Sequence, residues 1–332
     1  MPEAPSSVRR VVLCPGQGAQ FVGMARAWLE GSPEARAVMA RADEVLAASP
    51  DWTLARPLSA IMAEGPAEEL NRTDVSQPAI FAASIACWRG LLAHEGMAES
   101  DVRLAATAGL SLGEYTALCV AGAIGFEDAL RLVALRGRAM QDAAEAAPSG
   151  MVALIGADEA SAQSVCDETL SRVRGSEPAS VLVCANFNAP GQVVISGSRS
   201  ACEASLGVAQ EKGLRAQALP VAGAFHSPLM APAADRLRTM LAKTTIHAPR
   251  CPVLSNVTGS PHEAGSGAAD SIRARLVEQL TSPVRWSQDC QWILSHIAPE
   301  GRELVELAPG KTLSGLMRRI DREAKVTNHD EP

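Results

Sequence analysis

Residues 103–122 read RLAATAGLSLGEYTALCVAG. Small and branched apolar residues at Leu104, Ala105, Ala106 and Ala108 lead into Gly109-Leu110-Ser111-Leu112-Gly113, and a helix-forming segment with Glu114, Ala117 and Leu118 follows. The order is strand, sharp turn, helix, with a serine at the apex. Gly-x-Ser-x-Gly in that setting is a nucleophile elbow, in which the serine sits in a strained turn and the glycines leave room for close packing. The turn lifts the hydroxyl above the sheet and aims the helix N-terminus at it, so negative charge developing on a substrate oxygen meets backbone N–H donors. Ser111 is the candidate nucleophile. The bland reading, a serine in an ordinary turn, leaves the apolar strand before it and the helix after it without a purpose.

The whole chain bounds what such an elbow serves. Its 332 residues suffice for one large domain or two unequal ones, and 47% hydrophobic content is normal for a buried core. The formal charge of −7 is spread with both signs interspersed, and aromatics are only 3%, so no footprint for nucleic acid exists. Eight cysteines lie scattered, without a Cys-x-x-Cys pair or the short Cys/His spacing of a metal site, and read as reduced core residues. The opening MPEAPSSVRRVVLC has too short an apolar run for a signal peptide, and no stretch approaches a membrane span. The cytoplasm is the expected location.

Upstream of the elbow, 8–14 is a valine-rich strand, and Pro15-Gly16-Gln17-Gly18-Ala19-Gln20 opens a helix with Met24, Ala27, Trp28 and Leu29. The loop lacks the Gly-Lys-Ser/Thr of a phosphate loop and the third glycine of a dinucleotide fingerprint. It is either a tight turn alone or a second source of oxyanion donors facing the elbow. Downstream, a helix is expected over 126–146. On it Ala129, Leu132, Val133, Met140 and Ala143 share one face, and Arg136 lies in the middle of that face. A buried arginine needs an anion. Its partner is either an internal Asp or Glu, or solvent reached by snorkelling, or a substrate carboxylate held by the planar guanidinium.

From 150 to 221 the rhythm becomes strand 151–155, helix 158–171 with Asp158 as N-cap, strands 181–185 and 192–196, helix 199–212 and strand 214–219. That βαββαβ order is a split βαβ, ferredoxin-like unit. Asn188 falls in the turn between its middle strands, where Asn-Pro-Gly chemistry also makes a plain turn. Gly223-Ala224-Phe225-His226-Ser227-Pro228 follows where the chain re-enters the larger unit, which makes His226 the candidate base among six histidines. A helix over 229–242, strand 253–257, a polar loop 259–269, helices 271–280 and 287–297, strand 303–307 and helix 312–322 complete the reading. The expected division is 8–148 with 223–322 as the large unit, 149–222 as the inserted small one, and 323–332 as a disordered polar tail.

Seven motifs occur in order: PGQGAQ (15–20), GLSLGEYTAL (109–118), LRGRAMQ (135–141), NFNAPGQVVISG (186–197), AFHSP (224–228), VEQLTSPVRW (277–286) and ELAPGKTLSGL (306–316). Together they resemble the malonyl-CoA:acyl-carrier-protein transacylase family of type II fatty acid synthesis, related to polyketide synthase acyltransferase domains. The resemblance implies an α/β-hydrolase-like core interrupted by a ferredoxin-like subdomain. It places the nucleophile on Ser111 and the base on His226, with oxyanion donors at the backbone N–H groups of Gln17 and Leu112. Arg136 would bind the malonyl carboxylate, Asn188 would line the site, and the backbone carbonyl of Gln279 would orient the histidine in place of a triad acid. It further implies malonyl-CoA and acyl carrier protein as partners, no cofactor beyond the coenzyme A thioester, and a monomer.

Two departures stand out. The residue before the nucleophile, most often His in this family, is Leu110, and the His-Ala-Phe-His of malonyl-selective polyketide domains is Gly223-Ala224-Phe225-His226. Phe225 would crowd an α-methyl branch and so favour malonyl. Two rival functions are an esterase or thioesterase, which needs an Asp or Glu to complete a triad, and a non-catalytic carrier-protein module, which would lack Ser111 or His226. A polyketide acyltransferase using the same residues is the near alternative. Carrier proteins of such systems are acidic, so Lys311, Arg318 and Arg319 are candidates for a basic rim, although an ordinary solvated helix face has the same composition.

Overall fold

The computed structural model describes residues 9–332; Val8, taken above as the first residue of the first strand, lies outside them. Among the described residues ten strands occur in chain order: β1 (Arg9–Cys14), β2 (Leu104–Gly109), β3 (Ser149–Ile155), β4 (Leu182–Ala189), β5 (Gln192–Ser198), β6 (Arg215–Ala218), β7 (Leu254–Ser255), β8 (Ser260–Pro261), β9 (Arg302–Leu307) and β10 (Val326–His329). Four of them form a parallel sheet in the order β10-β9-β1-β2, with Val12 opposite Thr107 on one side and Val305 on the other.

The apolar run Val11-Val12-Leu13-Cys14 is fully buried, as a central parallel strand covered on both faces must be. Because side chains alternate along a strand, Val12 and Cys14 enter one core while Val11 and Leu13 enter another. The first core is built on the Thr73–His94 helix, buried around nearly its whole circumference, together with the Phe126–Ala146 helix. The second is closed by the Trp286–His296 and Thr312–Ile320 helices. This is an α/β-hydrolase-like arrangement, with the C-terminal ends of β1, β2 and β9 feeding loops onto one edge.

The other large sheet is antiparallel, in the order β4-β5-β3-β6. Its Glu159–Val173 and Arg199–Glu211 helices pack on one face around Val152, Leu154, Val165, Ile195 and Val208. Met151, Ala153, Ala185 and Val194 face the other way and join the first core of the parallel sheet. Asp158 caps its helix by accepting from Ser161 N at 2.8 Å, as expected from sequence. The expected ferredoxin-like βαββαβ order is present.

Two expectations are corrected. The strand anticipated over 253–257 is cut to Leu254–Ser255, with one parallel bridge from Val253 to Thr107 before it, because the chain folds back into a hairpin with β8: Thr258 N and Gly259 N both donate to Ser255 O, and Gly259 turns at φ 65°. The tail anticipated as disordered instead supplies β10, with Val326 opposite Leu304 and packed into the second core. Trp28 Nε1 donates to His329 O at 2.8 Å, Gly310 N to Asp330 Oδ1 at 2.7 Å and Asn328 Nδ2 to Gly310 O at 2.6 Å. Four mostly polar residues carry too little periodicity to be read as a strand; partners distant in sequence order them. All eight cysteines are free, and seven are buried.

Candidate active site

The elbow forms because β2 ends at Gly109 and the Gly113–Val120 helix begins only four residues on. A Cβ on Gly113 would sit 2.1 Å from Cys14 O, so only glycine lets the helix start this close to β1. Ser111 takes the left-handed backbone at φ 54°. A non-glycine residue there costs about 1–2 kcal/mol, held by the surroundings.

The loop 15–20 lies against this turn: Leu110 N donates to Cys14 O at 3.1 Å, and a Cβ on Gly16 would meet Leu110 O at 2.2 Å. The N–H groups of Gln17 and Leu112 donate to no acceptor among the described residues. Ser111 N–H, in contrast, is taken by Asn256 Oδ1 at 2.6 Å.

His226 Nε2 lies 2.8 Å from Ser111 Oγ, and its Nδ1 lies 2.8 Å from Gln279 O. A carbonyl only accepts, so Nδ1 carries the proton and Nε2 offers its lone pair to the serine. Burial pushes the imidazole down to about 4, with the Arg136 charge acting in the same direction against the raising effect of the carbonyls of Gln279 and Ser282. The ring is therefore neutral at pH 7. Among the described residues it has no carboxylate partner.

Arg136 is 1% exposed, which excludes snorkelling. Its Nη1 donates to Gln77 Oε1 at 2.7 Å, and its Nη2 donates to Ser111 Oγ at 2.9 Å and Gln279 Oε1 at 3.0 Å. Nε has no partner, and no Asp or Glu pairs with the guanidinium among the described residues. An internal acid is thus not its counter-ion. The Tyr115 ring, 5.4 Å from Cζ, faces the cation. Burial shifts Arg136 below its ordinary value, but an arginine remains charged.

Ser111, His226, Arg136 and Gln279 are brought together, with the Gln17 loop and Leu112 adjoining. Asn188 is placed on β4, beside the chain that follows Gln279 through the Phe187 N to Val284 O bond of 2.8 Å. Its buried Oδ1 has no partner, and it makes no hydrogen bond to Ser111, His226 or Arg136 among the described residues. Gly223 packs against the Phe126–Ala146 helix: a Cβ there would meet Ala144 Cβ at 2.4 Å, so a histidine has no room at this position in this chain. Lys311, Arg318 and Arg319 are exposed, and Arg319 Nη1 donates to Gln192 Oε1 at 3.2 Å.

Sequence reasoning missed the polar layer beneath the elbow. Gln279 Nε2 donates to Ser111 O at 3.0 Å and to Glu114 Oε2 at 2.6 Å, so its side chain works alongside its carbonyl. Glu114, fully buried, also holds His262 Nε2 at 2.8 Å and Asn256 N at 3.1 Å. Gln77, Asn256 and Asp289 are likewise wholly or almost wholly inside. A signal existed for Gln77 and Glu114: each interrupts an apolar helix as Arg136 does. None existed for Asn256, whose backbone belongs to a turn.

The acyl transferase domain family matches residues 11–327. The malonyl CoA-acyl carrier protein transacylase of Escherichia coli O157:H7 is 41% identical over 308 residues, covering 92% of this chain and 91% of the relative. The solved malonyl CoA-acyl carrier protein transacylase of Coxiella burnetii superposes with a TM-score of 0.86 at 34% identity, covering 99% of this chain and 96% of that one. A malonyl-transacylase solved in complex with its type II PKS acyl-carrier protein superposes with a TM-score of 0.85 at 35% identity, covering 98% of this chain and 96% of that one. With its motifs in order along the same fold and its elbow, histidine and arginine in contact, the chain belongs to the malonyl-CoA:acyl-carrier-protein transacylase family.

Proposed function

We propose that the protein transfers the malonyl group from malonyl-CoA to the phosphopantetheine thiol of acyl carrier protein through a malonyl-serine ester, feeding fatty acid synthesis. One observation carries this reading: a fully buried cation without an acidic partner, Arg136, donates to the same Ser111 Oγ that His226 addresses. An acyl chain on that oxygen that ends in a carboxylate comes within reach of the guanidinium.

In the first half-reaction His226 Nε2 takes the Ser111 proton as Oγ attacks the thioester carbonyl. The N–H groups of Gln17 and Leu112 receive the negative oxygen of the tetrahedral intermediate. As it collapses, the carbon–sulfur bond breaks and the imidazolium returns its proton to the departing coenzyme A sulfur. In the second, His226 takes the proton of the phosphopantetheine thiol, the thiolate attacks the malonyl ester, and Ser111 leaves with that proton. The Gln279 carbonyl fixes the tautomer without adding a charge, so the histidine works as a base over the whole neutral range. The lack of a carboxylate on Nδ1 distinguishes this site from the triad of an ordinary esterase.

Phe225, buried beside the base, favours malonyl over methylmalonyl. Asn188, with its free buried Oδ1, lines the acyl pocket in this reading. The exposed Lys311, Arg318 and Arg319 are the rim offered to an acidic carrier protein. The reading calls for no metal, nucleotide or redox cofactor, and it treats 149–222 as a unit inserted between 8–148 and 223–322. It places the enzyme in the cytoplasm as a monomer; no helix among the described residues is long and apolar enough to cross a membrane.

The test is intact-protein mass spectrometry after brief incubation with malonyl-CoA, acetyl-CoA or methylmalonyl-CoA, followed by addition of holo acyl carrier protein from a fatty acid or a polyketide system. A malonyl adduct that discharges onto the fatty acid carrier is expected. Free coenzyme A released continuously with no adduct would mean that water is the acceptor. Discharge onto the polyketide carrier alone would reassign the pathway.

A further inference from the structure

We propose that Asn256 is a positioning residue for the nucleophile, clamping the elbow on both sides of Leu110, and that Asp289 acts through it by fixing which way its carboxamide points. The inference rests on Ser111 being the nucleophile.

The clamp is visible in three bonds. Asn256 Oδ1 accepts from Ser111 N at 2.6 Å, Nδ2 donates to Gly109 O at 2.8 Å, and the second hydrogen of Nδ2 goes to Asp289 Oδ2 at 2.8 Å. The peptide groups it grips are those immediately before and after the residue preceding the serine. Between them they define the bend that carries Ser111 to φ 54°. Asn256 is itself pinned at both ends of its own backbone, its N–H donating to Glu114 Oε2 at 3.1 Å and its carbonyl accepting from Arg285 N at 2.8 Å. A weaker contact of 3.4 Å from Gln279 Nε2 reaches Oδ1.

A carboxamide has two orientations of nearly equal shape. In the flipped one, Nδ2 would face the Ser111 N–H and Oδ1 would face the Gly109 carbonyl, donor against donor and acceptor against acceptor. The observed orientation turns one amide hydrogen toward Gly109 O and the other toward Asp289 Oδ2, which serves as its acceptor. Asp289 is 0% exposed, its side chain makes no other hydrogen bond among the described residues, and its Oδ1 is unpartnered. A buried acid held by one contact is a cost to folding; its single contact is the group that sets the elbow.

The clamp also assigns the donors of the turn. With Ser111 N–H occupied, the next amide, that of Leu112, is the one left for an oxyanion. Loosening the bend therefore displaces Ser111 Oγ and the Leu112 donor together. Such a displacement acts on the reacting atoms, so it slows acylation more than it weakens binding of the thioester.

The experiment measures single-turnover malonylation by intact mass, KM for malonyl-CoA and the thermal transition for Asp289→Leu, Asp289→Asn, Asn256→Ala and the pair Asn256→Ala/Asp289→Leu. Asp289→Leu is expected to slow acylation about 100-fold, the cost of a misplacement near 1 Å, with KM changed by no more than about threefold. Asp289→Asn, which retains an acceptor for Nδ2, recovers most of the rate lost in Asp289→Leu. The double variant is no slower than Asn256→Ala alone, since the acid acts only through the amide. Wild-type acylation by Asp289→Leu, or additive losses in the double variant, would overturn the proposal. Should Asp289→Leu fail to fold, Asn256→Asp decides: an acceptor replaces the donor to Gly109 O and Asp289, so a folded variant that acylates at the wild-type rate also overturns it. Ser111→Ala is the separate control, because a malonyl adduct persisting there sinks the nucleophile assignment and says nothing against the clamp.

Discussion

His226 Nε2 stands 2.8 Å from Ser111 Oγ, and the two residues share the left-handed backbone, at φ 56° and 54°. Only one other described non-glycine residue, Ala25, has it. Both halves of the proposed reacting pair thus sit in turns that packing holds against local preference, as functional sites commonly do.

The pH dependence follows from the base. Burial and the Arg136 charge push His226 down to about 4 from an ordinary 6.5. Acylation by the free enzyme should therefore hold its rate as the pH falls through 6.5 and lose it with a midpoint near 4, read from kcat/KM for malonyl-CoA. The stability effect has a matching sign. Between about pH 6.5 and 4 the unfolded chain binds a proton that the folded chain does not, so stability declines as pH drops across that window and is complete above it. A kinetic midpoint at 6.5 would show that the base is not held neutral by burial.

Arg136→Ala removes the cation that a malonyl carboxylate would neutralise. Malonylation is expected to fall on the order of 100-fold, while acetylation is unchanged or improves, since the buried charge that an acetyl group leaves unpaired is gone. Competition between malonyl-CoA and acetyl-CoA, read as the ratio of the two serine adducts, measures the change. An unaltered ratio would remove Arg136 from substrate selection.

Gly16→Ala tests the approach of the loop 15–20 to the elbow. The added methyl would lie 2.2 Å from Leu110 O, so the loop must retreat and take the Gln17 N–H with it. Loss of one oxyanion donor costs roughly 3 to 4 kcal/mol in the barrier, and kcat should fall about 10²–10³-fold. A normal kcat in a folded variant would mean that the second donor lies elsewhere.

Deleting 326–332 removes β10 and its bonds to Trp28 and Gly310. With each net hydrogen bond worth about 1 kcal/mol, the loss is on the order of 3 kcal/mol, and the thermal midpoint should drop by several degrees. Differential scanning calorimetry reads it directly. An unchanged midpoint would return 326–332 to the status of a tail.

Much of this molecule was legible in its sequence because the deciding signals are local. The elbow is written in five consecutive residues between an apolar strand and a helix, Asp158 announces its helix three residues before Ser161, and the βαββαβ order follows from periodicity within each segment. Arg136 declared itself by interrupting an apolar face, but its three readings could not be separated from spacing, because its partners Gln77 and Gln279 lie 59 and 143 residues away. Only tertiary structure decided that no acid neutralises it and that Asn256 reaches 145 residues back to hold Ser111, and it set Gln279 O, which the family resemblance had implied, against Nδ1 of His226. The tail behaves likewise, since a four-residue polar strand is ordered by the edge it meets and by Trp28, 301 residues earlier. Local order follows from neighbouring residues; buried polar geometry follows from which distant segments the core presses together, where each donor and acceptor must then find a partner.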